Sequence, residues 1–235
     1  MSINTMATDQ EYVVTALASL FRSLTEDQYQ LLCQHLNTSS FRKNEVIYEE
    51  GKPADVLLVL VSGKVKIWKS GVGGHHQILR LVKPLEMFGY RACFAHEAYL
   101  ATAIAVEPSV IVSLPMTMVS KLMSTNAEFC QQLVEHLAQL LGQSGTRLVN
   151  LTQKHIRGRL AEALLLLIEH YGMEEDGVTL CASLSREDIA SLSNMTTGNA
   201  IRTLSAFAHE GLIEIKGKKI RILEEEELGK ISYAG

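Results

Sequence analysis

Between Phe41 and Leu114 the apolar residues come in short, β-favouring runs: Val46 to Tyr48, Val56 to Val61, Val65 to Trp68, Ile78 to Val82, Thr102 to Val106 and Val110 to Leu114. Glycines punctuate them at Gly51, Gly63, the Gly71-Val72-Gly73-Gly74 stretch and Gly89. Short strands at this spacing predict an antiparallel sandwich or roll. Upstream, Glu26 to Leu36 has helical apolar spacing, and the Thr25 hydroxyl stands where it can accept an early helix N–H, so a capped lid helix is expected.

After Pro115 the pattern changes: no proline follows, and helix formers fill the stretch from Ala127 to about Thr152. Ala127, Cys130, Val134, Leu137, Leu141, Ser144, Leu148 and Leu151 recur in alternating steps of three and four, the seam spacing of a two-stranded coiled coil. An amphipathic helix packed on its own domain carries the same signature, and spacing alone leaves both readings open. Gly142 and Gly145 flank Ser144 and soften the helix by about 1 kcal/mol each, which points to close backbone approach or an adjustable joint. Another helix is predicted over Ile156 to Tyr171, ended by Gly172.

Ser185 and Thr196 can cap two short helices, Arg186 to about Leu192 and Thr197 to about Glu210, separated by the turn Ser193-Asn194-Met195. That is helix-turn-helix spacing. In such units the second helix enters the major groove, where base edges are distinguishable, so Thr197, Gly198, Asn199 and Arg202 are the candidate base readers. Glu214 to Ile222 then reads as a hairpin with a cationic tip, a phosphate-clamping wing. Each piece also has a plain reading, as a bundle helix, an ion-paired arginine or a solvated turn; their order favours DNA binding.

The 235 residues, 47% hydrophobic and 20% charged, suffice for two domains with real cores. No run is long enough to cross a bilayer, and Asp9 and Glu11 stand where a signal peptide would want basic residues, so a cytoplasmic protein with no membrane partner is expected. Net charge is −4, so any nucleic-acid site must be local. The cysteines, Cys33, Cys93, Cys130 and Cys181, contain no C-x-x-C pair, and no metal site is expected. No triad order, phosphate loop or paired carboxylates point to an enzyme, and the acidic run Glu224 to Glu227 reads as a solvated tail.

The stretch Glu49-Glu50-Gly51 through Leu57 with Ser62-Gly63-Lys64-Val65-Lys66-Ile67 resembles the β-roll signature of the cyclic-AMP receptor and fumarate-nitrate regulator (Crp/Fnr) superfamily of bacterial transcription regulators. Phe88-Gly89 and Phe94 resemble its effector cassette, and Leu184-Ser185-Arg186-Glu187-Asp188-Ile189-Ala190 with Asn199 to Leu204 resembles its winged helix-turn-helix. The resemblance covers almost the whole chain. It implies an α+β fold: an N-terminal antiparallel β-roll (cyclic-nucleotide-binding-like, a double-stranded jelly roll) over residues 1–115, a connector and dimerisation helix over 116–152, and a C-terminal winged helix-turn-helix over 153–235. It also implies a homodimer on a near-palindromic operator, a small-molecule effector, and RNA polymerase as a partner. Ser185, Arg186, Lys216 and Lys218 match the family's phosphate-contact positions. The family's early arginine-glutamate reading pair is replaced by Thr197 and Gly198, and only Arg202 matches, which implies a changed half-site.

Cyclic-AMP binders of the family use a glutamate for the ribose and an adjacent arginine and serine for the phosphate, because an anion leaving water needs charge-assisted donors. Aligned on Phe88-Gly89, the glutamate position is Tyr90, and the arginine and serine fall near Tyr99 and Leu100. Cyclic AMP is therefore not the expected effector. Ser144 stands where the family's long helix offers a hydroxyl, and Arg91 and His96 are nearby groups that can serve another anion or simply face solvent. No iron–sulfur cluster is expected from a single N-terminal cysteine, Cys33. Haem sensing through His75 or His76 stays open beside the reading of a solvated hairpin tip. A regulatory module of cyclic-nucleotide type acting on a protein partner without DNA is the competing function.

Overall fold

The structure is a computed structural model describing residues 13, 15–71, 76–182 and 184–235. Asp9, Glu11, Val72, Gly73, Gly74 and His75 lie outside the described residues. Strands β1 (Asn37–Phe41), β2 (Val46–Tyr48), β3 (Val56–Ser62), β4 (Val65–Ser70), β5 (His76–Val82), β6 (Met87–Phe88), β7 (Thr102–Ala105) and β8 (Ser109–Pro115) form two four-stranded sheets, in the orders β1-β8-β3-β6 and β2-β7-β4-β5. The helices among them are α1 (Glu26–Gln34) and α2 (Tyr90–Phe94). After the sheets come α3 (Met116–Thr125), α4 (Ala127–Gln153), α5 (Ile156–Tyr171), α6 (Arg186–Leu192), α7 (Thr197–His209), the pair β9 (Ile213–Lys216) and β10 (Lys219–Ile222), and α8 (Glu225–Ala234).

Strand β3 shows why the roll forms. Its side chains alternate between two cores, as a pleated strand requires. Leu57, Val59 and Val61 face a cluster with Phe21, Leu32, Met118, Leu122, Phe129 and Leu133, whereas Leu58 and Leu60 join Val65, Val82, Phe88, Ala103 and Ile111. Both faces are dry, so the strand reads as an unbroken apolar run. Gly63 makes the β3–β4 turn at φ +92°, and a Cβ there would stand 2.3 Å from Ser109 Oγ. Thr25 caps α1 in a reciprocal box with Gln28.

The chain divides into two compact units: residues 1–67 with 81–139, and residues 68–80 with 140–235. The second therefore contains most of the β4–β5 hairpin together with the C-terminal elements. Helix α4 is unbroken through Gly142 and Gly145, and a Cβ at either would meet nothing within 4 Å, so of the two readings of these glycines the close backbone approach is not made among the described residues. Glu224 to Glu227 are solvated, all four being exposed, but they start a helix rather than trail as a tail. Glu225, Glu226 and Glu227 form the first turn of α8, where the helix dipole favours carboxylates, and Leu228 behind them is fully buried. Helix α8 packs on α5 at Gly158, where a Cβ would stand 2.5 Å from Gly235 C.

Candidate nucleic-acid interface and effector region

The helix-turn-helix is built by its caps. Ser185 Oγ accepts the Asp188 N–H at 3.0 Å, and the Asp188 carboxylate accepts from Ser185 N and Oγ at 3.3 and 2.9 Å. Thr196 Oγ1 accepts the Asn199 N–H at 3.2 Å, starting α7. Each cap contributes about 1 kcal/mol. Between them Asn194 takes φ +50°, a left-handed position that asparagine tolerates, and Ser193 is fully buried with its hydroxyl donating to Ile189 O at 2.7 Å.

Ala200, Thr203, Leu204 and Phe207 bury one face of α7. Thr197, Gly198 and Arg202 are exposed on the helix and Asn199 is half-buried, with the Arg202 guanidinium donating to the Asn199 side-chain carbonyl. Ile201 stands among them, 47% exposed. It was missed in the sequence because an isoleucine in a helix reads as core; its place four residues after Thr197 and one before Arg202 was the available signal. An exposed methyl-bearing side chain here has the chemistry to meet a thymine methyl.

The wing pairs Lys216 with Lys219 and Glu214 with Arg221 across a turn at Gly217, whose φ of +61° suits glycine. Lys216 and Lys218 are exposed at its tip. Much of the wing's charge is internally balanced. Lys216 pairs with Glu214 at 3.2 Å, Lys219 with Glu174 at 2.8 Å, and Arg221 with Glu214. Hydrogen bonds from Arg221 and then Lys216 hold the Glu214 carboxyl below its usual range. Arg186 is half-buried and supports the wing, its Nη2 donating to Gly217 O at 2.9 Å, while burial lowers its pKa. Arg157 makes two hydrogen bonds to Glu210, at 2.7 and 2.6 Å, and stacks over Phe207, fixing the end of α7 to α5.

The predicted effector residues of the first unit have separate surroundings. Tyr90 is buried, with ring contacts to Phe94 at 5.9 Å and His136 at 6.0 Å. Tyr99 is buried and stacked on Tyr48 at 3.9 Å, and burial pushes its phenol up to about 12. Leu100 is 53% exposed, and Arg91 is an exposed partner of Glu97 at 3.0 Å. In the second unit Ser144 is exposed and donates to Leu140 O at 2.8 Å. A cavity of about 230 Å³ in the first unit is lined instead by Leu20, Phe21, Leu85, Met87, Phe129 and their neighbours. His76 packs edge-on against Trp68 at 4.2 Å. Among the described residues no cluster of three or more His, Cys, Asp or Glu could hold a metal, and no helix is long and apolar enough to cross a membrane.

A β-roll preceding a long helix and a winged helix-turn-helix defines a regulator of Crp-like architecture. The sequence matches the cyclic nucleotide-binding domain family over residues 38–126 and the Crp-like helix-turn-helix domain family over residues 158–231. The chain belongs to the Crp/Fnr superfamily of bacterial transcription regulators. It is 28% identical over 218 residues to the CRP-like cAMP-activated global transcriptional regulator of Mycobacterium tuberculosis, covering 92% of this chain and 97% of that protein. It is 24% identical to the global nitrogen regulator of a Nostoc species, covering 88% and 92%. Among solved structures it resembles FixK2 from Bradyrhizobium japonicum, with a TM-score of 0.75 at 22% identity over 83% of this chain and 96% of that one. A CRP/FNR-family regulator from Thermus thermophilus gives 0.72 at 26% identity over 84% and 98%.

Proposed function

We propose that this regulator is a cytoplasmic homodimer that binds a near-palindromic operator sequence-specifically, under control of a small effector other than cyclic AMP, and addresses RNA polymerase from that site. The carrying observation is the open face of α7: Thr197, Gly198, Ile201 and Arg202 are exposed beside an exposed basic wing tip at Lys216 and Lys218. The face supplies base readout and the tip, with Ser185 and Arg186, supplies phosphate contacts. Thr196 takes part through its cap.

Dimerisation is supported by the seam. Val134, Leu141 and Leu148, seven residues apart, are 57%, 76% and 65% exposed, an apolar stripe that a second α4 would cover. Cys130, Leu137 and Leu151 are half-buried, with Leu137 packed on the roll's outer core, so they can serve both partners. In this division of labour residues 1–115 sense, 116–152 connect and dimerise, and 153–235 read DNA.

The relative from Mycobacterium tuberculosis is named as cAMP-activated. What supports a different effector here is the chemistry at the corresponding positions: a buried Tyr90, a stacked Tyr99, an exposed Leu100, and an Arg91 already bound to Glu97. None offers the unengaged cation a cyclic phosphate would need. Selection of bound fragments from a random duplex library, at low and high salt and with and without a metabolite extract, tests the reading. Salt-sensitive enrichment of a two-fold symmetric site, increased by the extract, is expected. No retention at any salt would favour the protein-directed module instead.

A further inference from the structure

Strand β5 is the last strand of its sheet, so one row of its backbone N–H and C=O groups has no strand to pair with. Residues two apart present these groups on the same side. In the second unit the His76 and Ile78 groups on that side are met by the DNA-reading elements. Ser191 Oγ, at the end of α6, donates to His76 O at 2.7 Å and accepts the Ile78 N–H at 2.8 Å. One serine hydroxyl thus does what a neighbouring strand would do. Gln77 Nε2 donates to Ser191 O at 2.7 Å, binding α6 from the other direction. Arg147, from α4, completes the junction: its Nη2 donates to Ile78 O at 3.0 Å and to Leu192 O at 3.2 Å, tying strand, long helix and reading unit together.

We propose that Ser191 and Arg147 are positioning residues for operator recognition, forming a latch that seats the helix-turn-helix on the free edge of β5 in its DNA-binding form. This rests on the DNA-binding reading above. The latch leaves the side chains of Thr197 and Arg202, and Gly198 between them, exposed. Neither positioning residue lies on that face. Ser191 is 7% exposed, and burial of the Arg147 guanidinium lowers its pKa, which makes its two carbonyl acceptors the groups that compensate for lost hydration. The strand-edge groups, by contrast, can exchange protein partners for water, which makes the junction reversible rather than a permanent part of the core.

The test uses the full chain, its selected operator, random duplex, and Ser191→Ala and Arg147→Met variants. Operator affinity should fall by at least about fivefold in both variants, the low end of ordinary coupling. Affinity for random duplex and the salt slope should be unchanged, because no phosphate contact is removed. Hydrogen exchange gives a readout that needs no variant: operator should slow exchange of the Ile78 amide in the wild-type chain. Unchanged or tighter operator binding by both variants would overturn the latch while leaving the DNA reading standing, as would an Ile78 amide indifferent to operator. A wild-type chain that retains no duplex at any salt would overturn the DNA reading and the latch with it.

Discussion

Arg202 and Lys218 carry the same charge but can tell the duplex different things. A guanidinium on the exposed face of α7 can make two parallel hydrogen bonds to a guanine, and Asn199 accepts a hydrogen bond from it on the same face. An exposed lysine at the wing tip is a point charge for phosphate. Arg202→Ala should therefore cost about 1–3 kcal/mol at one base pair of the selected operator and little on random duplex. Lys218→Ala should weaken binding to all sequences and reduce the salt slope by about 1. Titration of both duplexes across salt checks the pair, and equal losses on operator and random duplex for Arg202→Ala would contradict its role. Asp176 makes a different prediction. The Thr179 hydroxyl donates to its carboxylate at 2.6 Å, and with the Thr179 and Val178 amides lowers its pKa from 3.8 to about 2. A depressed folded-state value means stabilisation present above about pH 4 and lost as pH falls toward 2. In urea unfolding, the advantage of wild type over Asp176→Asn should shrink across that window; an advantage independent of pH would refute it.

Helix α4 makes its prediction through what it leaves uncovered. Burying a leucine side chain contributes about 1.5–3 kcal/mol, and a two-fold seam counts each position twice. Leu141→Lys, at the most exposed of the seam's large apolar side chains, should raise the dimer dissociation constant at least about tenfold by sedimentation while leaving monomer helicity intact. An unchanged constant would remove the seam from the interface. Elements with local signals were legible in sequence: α5, α6 and α7 stand where apolar spacing, Ser185, Thr196 and Gly172 placed them. Elements defined by partners were not. Strand β1 reads Asn37-Thr38-Ser39-Ser40-Phe41, too polar to announce a strand, and exists because it pairs with β8 in register from Asn37–Ser113 to Phe41–Ser109. Strand β6 is two residues long, and α3 begins at a proline cap with no side-chain hydrogen bond. The reading helix was legible for the same reason as its caps. The surroundings of Tyr90 and Tyr99 were not, because stacking on Tyr48 and packing on Phe94 are settled by residues distant in sequence or turned by the fold. Ser191 gave no signal, since its partners at His76 and Ile78 are more than a hundred residues away.

At the scale of the whole molecule, control requires only that the effector bind the DNA-competent form more tightly than the other, and linkage makes the relation reciprocal. An effector that raises operator affinity by a factor must itself bind tighter by that factor when operator is present. The same thermodynamics separates cyclic AMP from the effector proposed here. A ligand at 100 times its dissociation constant stabilises a folded protein by about 2.7 kcal/mol. If cyclic AMP bound with a dissociation constant near 10 μM, 1 mM would thus raise the melting temperature by several degrees, since about 1 kcal/mol shifts a chain of this size by roughly 2–4 °C. On the proposed alignment, which puts Tyr99 and Leu100 near the positions where a cyclic phosphate needs an arginine and a serine, no shift is expected at 1 mM and no change in operator retention. A metabolite fraction that does shift the melting temperature should tighten operator binding, and operator should lower the concentration of that fraction needed for half the shift. Cyclic AMP giving both effects would overturn the proposed effector and return this chain to the cyclic-AMP-responsive members of its family.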